Sequence, residues 1–357
     1  MRTTFFLLLI AAFAWKCSSP QGHELLWSNG KPTAIAVSKD IYGDAPVDSI
    51  ESTFSVRVLN SSNDQNMLGD WSMADGRIVF TPVISFSRGY SYELLRKSKS
   101  LLVFTVPPDE LATTPELTGF YPSADTLPEN LLKVYLRFSE PMSIGRSLQY
   151  ATLVRNNKDT LHGTFLDLQP ELWNPDRTCL TLWLDPGRIK QGLIPNEVLG
   201  ELLKKGDSYT VTVSAGWMSK KGKKSTKSFT KTFYAGSRDD KKPDIKAWRI
   251  SQPRAETKDT LRIDFGESLD FLLIESAVSI SDSSGNEVPG EIFIKHNEKT
   301  LLFVPKNNWP PGIHSINADA QLEDLSGNNL SRPFDRNLLK DAPPDQRLKF
   351  TRSIEIR

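Results

Sequence analysis

Leu301-Leu-Phe-Val-Pro-Lys-Asn-Asn-Trp-Pro-Pro-Gly312 sets Leu301 and Phe303 on one side of an extended run, stops at Pro305, places an aromatic anchor at Trp309, and reaches Gly312 before the next run. A period of two belongs to a strand with one buried face. Pro305 ends such a strand because it has no amide hydrogen for the ladder. The same order recurs at Ile78, Phe80, Pro82 and Gly89, and again at Leu182, Leu184, Pro186 and Gly206. Repetition at this spacing means tandem small modules rather than one enzyme-sized core, and 357 residues suffice for three of them. The interval from Pro to Gly is 7 residues in the outer copies (82 to 89 and 305 to 312) but 20 in the middle one (186 to 206). The middle copy therefore carries an insertion. Glu197, Val198, Leu199, Leu202 and Leu203 give that insertion a helical spacing, with Asn196 as its N-cap.

Around these copies the expected modules span 23–106, 116–236 and 243–357. In the first, Phe54, Val56 and Val58 alternate against Ser55 and Arg57, and Asp75-Gly76 marks a hairpin. Pro107-Pro108 and Pro115 stiffen the connection to the second, where Leu132, Val134, Leu136 and Phe138 face one way and Lys133, Tyr135 and Arg137 the other, as in a half-buried strand. Asp239-Asp-Lys-Lys-Pro243 marks the third boundary. Leu261, Ile263 and Phe265 then repeat the earlier face, and Ile354 and Ile356 sit in a closing strand. Short strands with frequent turns and no alternation of strand and helix argue for antiparallel sandwiches.

The N-terminus combines Arg2, an apolar run from Phe5 to Phe13, and Cys17 followed by Ser18, Ser19 and Pro20. The run is too short for a permanent span and fits a signal peptide over residues 1–16. Cys17 so close behind it resembles the lipidated cysteine of a bacterial lipoprotein signal. Lys16 stands where such signals have a small residue, and Ala12-Phe-Ala14 offers a secretory cleavage site instead. The expected location is the cell envelope, as an outer-membrane lipoprotein facing the periplasm or the surface, with secretion as the alternative. The lipid anchor would make the membrane a partner, and an envelope protein or glycan is a further one.

With 44 basic and 43 acidic residues, the net charge of +1 gives no field to attract nucleic acid. Phe-Ser-Glu-Pro-Met at 138–142, the strand-Pro-Gly core, and Asp-Leu-Ser-Gly-Asn at 324–328 resemble the bacterial Ig-like repeats of surface-layer and envelope proteins. Leu-Pro-Glu-Asn-Leu-Leu (127–132), Glu-Leu-Trp (171–173) and Asp-Pro-Gly-Arg-Ile-Lys (185–190) also resemble an uncharacterised family of exported bacterial proteins, over about two thirds of the chain. That resemblance implies no activity. The expected fold is all-β: three tandem Ig-like antiparallel β-sandwich domains, the first divergent, with a short helical insertion in the second.

Signs of catalysis are weak. His23, His162, His296 and His314 form no metal spacing, and Gly-x-Ser-x-Gly is absent. Ser228-Phe-Thr-Lys231 spells a nucleophile motif but lies in a strand-like run without a Lys-Thr-Gly partner. Cys179 has no local histidine to activate it. Glu140, Asp264 and Glu267 fall at strand ends, where paired acids could cleave glycosides, but they are also ordinary polar terminators of a strand, which is the preferred reading. The two Asp-x-x-Gly-Asn clusters read as turns rather than calcium loops, and neither metal nor cofactor is expected. Five lysines between Lys220 and Lys227 read as a solvated hairpin tip, or as a patch for anionic polymer. The strongest binding candidates are Glu171, Trp173, Asp185, Arg188 and Lys190. An aromatic plate, a guanidinium and a carboxylate near one inserted loop are the ingredients of a glycan or peptide site, but the preferred account is structural: Pro and Gly turn the chain, Arg188 satisfies local carbonyls and Trp173 plugs the sandwich end. The reading is a non-catalytic envelope lipoprotein acting in binding or as a spacer, with the Trp173/Arg188 ligand module and a hydrolase as alternatives.

Overall fold

Pro82, Pro186 and Pro305 occupy one topological place, at or just beyond the end of a strand in the middle of its sheet. The computed structural model describes residues 22–44, 49–59, 65–336 and 343–357. In the first sandwich the strands are β1 (His23–Ser28), β2 (Lys31–Ser38), β3 (Phe54–Val58), β4 (Gly69–Ala74), β5 (Arg77–Pro82), β6 (Ser91–Arg96) and β7 (Lys99–Thr105). They pair in the orders β1-β2-β5-β4 and β3-β6-β7. The third repeats this arrangement with β17 (Arg249–Ser251), β18 (Leu261–Asp264), β19 (Val278–Ser281), β20 (Gly290–Lys295), β21 (Thr300–Pro305), β22 (Gly312–Asp319) and β23 (Lys349–Ile356), as β17-β18-β21-β20 and β19-β22-β23. This is the constant-type immunoglobulin order.

The second sandwich adds two strands. Its elements are β8 (Leu117–Tyr121), β9 (Thr126–Pro128), β10 (Lys133–Phe138), β11 (Ala151–Arg155), β12 (Asp159–Leu161), β13 (Leu172–Trp173), β14 (Cys179–Trp183), β15 (Ser208–Val213) and β16 (Phe229–Gly236). The sheets run β13-β14-β10-β8 and β12-β11-β15-β16-β9, with β9 parallel to β16. All three sandwiches are Ig-like.

The repeated Pro-to-Gly segment carries the chain from one sheet to the other, from β5 to β6, β14 to β15 and β21 to β22. Its anchors, Phe86 and Trp309, are buried and plug the sandwich. In two copies a tyrosine locks the crossing: the Tyr92 hydroxyl accepts from the Ser87 amide and the Tyr209 hydroxyl from the Lys204 amide, both at 2.7 Å. This is the tyrosine corner of immunoglobulin sandwiches. In the third copy His314 packs edge-on against Trp309, and its buried Nε2 has no partner.

The insertion is helical, but as two short pieces, Pro186–Ile189 and Ile194–Leu199. Asp185 caps the first through the Gly187 amide. Asn196 is not the N-cap: it lies inside the second piece, and its side-chain amide donates to the Arg188 carbonyl. Leu202 and Leu203 are buried, but beyond the helix end. Pro195 in the first turn and positive φ at Gly200 confine the helix to one and a half turns.

The chain divides into two compact units: one runs through Ala112 and includes Lys220–Lys223, and the other comprises Thr113–Ser219 with Lys224–Arg357. The first has one principal core, around Val56, Phe80 and Leu94. The second has two, one around Leu136, Tyr209 and Trp217 and one around Trp248, Ile263 and Trp309. No helix among the described residues is long and apolar enough to cross a membrane.

Candidate functional site

Inside the second unit, β10 is covered on both faces. Val134, Leu136 and Phe138 enter their own core as the alternation predicts, but Tyr135 on the opposite face is also buried. What covers it is the helix Phe271–Ala277 of the third sandwich. Asp270 caps that helix with Oδ1, which accepts from the Leu272 and Leu273 amides at 3.1 Å. Its Oδ2 accepts from the Tyr135 hydroxyl at 2.5 Å and pairs with Lys133 Nζ at 2.8 Å. Lys133 pairs equally with Glu323, also at 2.8 Å. Burial would lower the lysine pKa, but the two carboxylates outweigh it and the net shift is upward. The Tyr135 hydroxyl is held protonated by burial, reinforced by the adjacent Asp270.

The seam extends on either side of this triad. Tyr121 and Phe271 stack with ring centres 3.6 Å apart. The Leu132 amide donates to the Leu325 carbonyl, and the Ser123 amide to Glu298. Asn130 donates to the Asp239 carbonyl and accepts from the Asp239 amide and the Ser326 hydroxyl. Arg238 pairs with Asp335 at 2.6 Å, and the Gln191 amide donates to the same carboxylate. Buried polar groups satisfied this fully select one arrangement of the two sandwiches.

Beside the seam lies a cleft of about 310 Å³ lined in part by Leu127, Asp239, Glu267, Lys299 and Asp324. Carboxylate oxygens of Asp239, Glu267 and Asp324 lie within 4.8 Å of one another. The two sequence-identified turns show what burial does there. Asp282 and Asp324 make the same bonds, each accepting through Oδ1 from amides two and four residues ahead and through Oδ2 from the side chain of Asn286 or Asn328. At the partly exposed Asp282, the Asn286 amide and its companions lower the pKa. At Asp324, 2% exposed, desolvation wins and lifts it to about 8, with Asp239 adding repulsion. Glu267 is lifted to about 7 by burial and then by Asp239. Glu267 and Asp324 can therefore hold protons near neutral pH. A calcium ion takes about six to eight oxygens, and both Asp324 oxygens are already engaged by its own turn.

The expected binding residues divide into two groups, each engaged in local structure. Glu171 accepts from the Gly145 and Ser147 amides and from the Trp173 indole. Burial alone would raise its pKa, but these donors outweigh it and lower the carboxyl. Trp173 is partly buried and packs against Phe138 and Trp217. Elsewhere Asp185 caps a helical turn, while Arg188 donates to the carbonyls of Leu199, Gly200 and Glu201 that close the next. Lys190 lies 4.3 Å over the Phe334 ring, as part of the seam. Of the three strand-end acids, Glu140 accepts from Thr113, Asp264 pairs with Arg249, and Glu267 joins Asp239 and Asp324. Cys179 is buried and its thiol pushed up to about 11 by burial. Cys17 lies outside the described residues.

No family model matches the chain, and no curated protein matches it. Among solved structures it is similar to MG0-NIE-MG1 of Escherichia coli alpha-2-macroglobulin, at 10% identity and a TM-score of 0.24, covering 57% of this chain and 66% of that one. It is also similar to the N-terminal part of the bacterial S-layer protein SbsC (15% identity, TM-score 0.22, 58% of this chain and 41% of that one) and to the FN1–FN3 domains of chicken CNTN1 (12%, 0.19, 94% and 98%). At such scores the Ig-like assignment rests on the strand order and the tyrosine corners.

Proposed function

We propose that this chain is a non-catalytic protein of the bacterial cell envelope whose second and third sandwiches act as one stiff body, serving as a spacer or binding scaffold. The observation that carries this reading is the seam: the Lys133–Asp270–Glu323 triad, the Tyr121–Phe271 stack and the Asn130 network tie two complete sandwiches together through side chains rather than a bare linker. A spacer needs such a joint, because independent domains on a flexible linker would not hold a distance. Support for the non-catalytic part is chemical. The Cys179 thiol is buried and protonated, and His314 sits in a sandwich interior. The side chains of a Trp173/Arg188 ligand site are engaged in local structure, so the scaffold reading is preferred.

Export and anchoring through Cys17 complete the proposal. They are tested by expressing wild type and Cys17→Ala in bacteria with a clickable fatty acid. Wild type should label and sediment with membranes, while the variant should do neither; equal labelling or equal sedimentation of the two would refute the anchor.

A further inference from the structure

We propose that protonation of Glu267 and Asp324, which meet Asp239 beside the seam, controls how tightly the second and third sandwiches hold together, so that the seam is closed in mild acid and loosens as these two carboxylates ionise. The three groups come from three segments. Asp239 follows β16 in the segment joining the two sandwiches: Asn130 of the second shares two bonds with its backbone, and Asn328 of the third donates to its carbonyl. Glu267 follows β18, and Asp324 sits in the turn after β22 whose neighbour Leu325 meets Leu132. Opening the seam would admit water to all three. Closing it brings acidic oxygens within 4.8 Å and buries Asp324.

The other charged groups around the cleft do not cancel this. Lys299 lines it but is exposed to solvent. Lys133 is committed to Asp270 and Glu323, and Arg238 to Asp240 and Asp335. Glu129 receives the Lys205 and Arg238 amides. Asn130, Ser326 and Asn328 are neutral. The sign follows from proton linkage. Burial, then Asp239, holds Glu267 protonated up to about 7 and Asp324 up to about 8 when the seam is closed, whereas both would ionise in their ordinary ranges when it is open. The closed form binds more protons, so it is favoured in acid. As pH rises above the ordinary carboxylate range the closed form loses ground, until the raised values are passed. Each group shifts the equilibrium by up to about tenfold per pH unit inside that window.

The test is hydrogen exchange on the full chain at pH 5, 6, 7 and 8 in EDTA, corrected for intrinsic rates. The Leu132 and Gln191 amides, which donate to Leu325 and Asp335 of the third sandwich, report the seam, and the Phe303 amide in β21 reports the core. Protection of the seam amides should fall by about tenfold or more from pH 5 to 7, while the core amide holds. Glu267→Gln should flatten the fall, and Asp282→Asn, in the matching turn away from the seam, should not. If Glu267→Gln misfolds, Asp239→Asn provides the same readout through the lost repulsion. Seam protection that does not vary with pH, or that varies identically in wild type and the cluster variants, would overturn the proposal. The stiff-body reading could survive that result, since the triad and the stack do not depend on this cluster.

Discussion

Replacing Lys133 with methionine preserves the length of the side chain and removes the charge between Asp270 and Glu323. Asp270 is 3% exposed and Glu323 is 22% exposed by side chain, so the lost ammonium falls mainly on Asp270. Removing one partner of a buried pair costs roughly 3 to 5 kcal/mol. Asp270 keeps the Tyr135 hydroxyl and two helix amides, which places the expected loss near the low end, about 3 kcal/mol. Urea unfolding followed by tryptophan fluorescence, with a slope of about 3 kcal/mol per molar, should move the midpoint of the second unit down by about 1 M. The variant Lys133→Met with Asp270→Asn and Glu323→Gln should recover part of that loss, because no buried charge is then left alone. A Lys133→Met midpoint within about 0.2 M of wild type would refute the reasoning, as would a triple variant weaker than the single one.

Gly327 and Gly285 occupy the same place in the two Asp-x-Ser-Gly-Asn turns, at φ of +80° and +83°. Alanine at Gly285 meets open space and should cost only the left-handed backbone term of about 1 kcal/mol, whereas at Gly327 its Cβ would fall 2.4 Å from Leu132 Cδ2 across the seam and should cost clearly more in thermal denaturation. Glu171→Ala should lower stability by about 2 kcal/mol in urea, since the Gly145 and Ser147 amides and the Trp173 indole lose their acceptor; an unchanged midpoint would mean that Glu171 is not a structural carboxylate.

The sandwiches were legible because their signals are local. Ile78 and Phe80, Leu182 and Leu184, and Leu301 and Phe303 each announce a central strand within a few residues. The prolines after them announce the crossing to the other sheet. The insertion was legible as an interval but not in detail: Asn196 has a good capping side chain, yet Pro195 starts the helix earlier and leaves Asn196 inside it. The seam was not legible at all. Lys133, Tyr135 and Arg137 have the composition of a solvated face, and only the approach of Asp270, 135 residues beyond Tyr135, buries Tyr135 and half-buries Lys133, while Arg137 stays exposed. The carboxylate cluster was hidden likewise, since Asp239, Glu267 and Asp324 each read locally as a linker acid, a strand terminator and a turn residue. The identical turns at Asp282 and Asp324 make the same point. Sequence specifies their hydrogen bonds, but burial decides the sign of the pKa shift, and burial is set by a distant partner.

The central claim, that the second and third sandwiches move as one body, is tested most directly by residual dipolar couplings on the deuterated full chain. One alignment tensor should fit the amide couplings of β8 to β16 together with those of β17 to β23. Two tensors of different magnitude or orientation for those two sets would contradict the account.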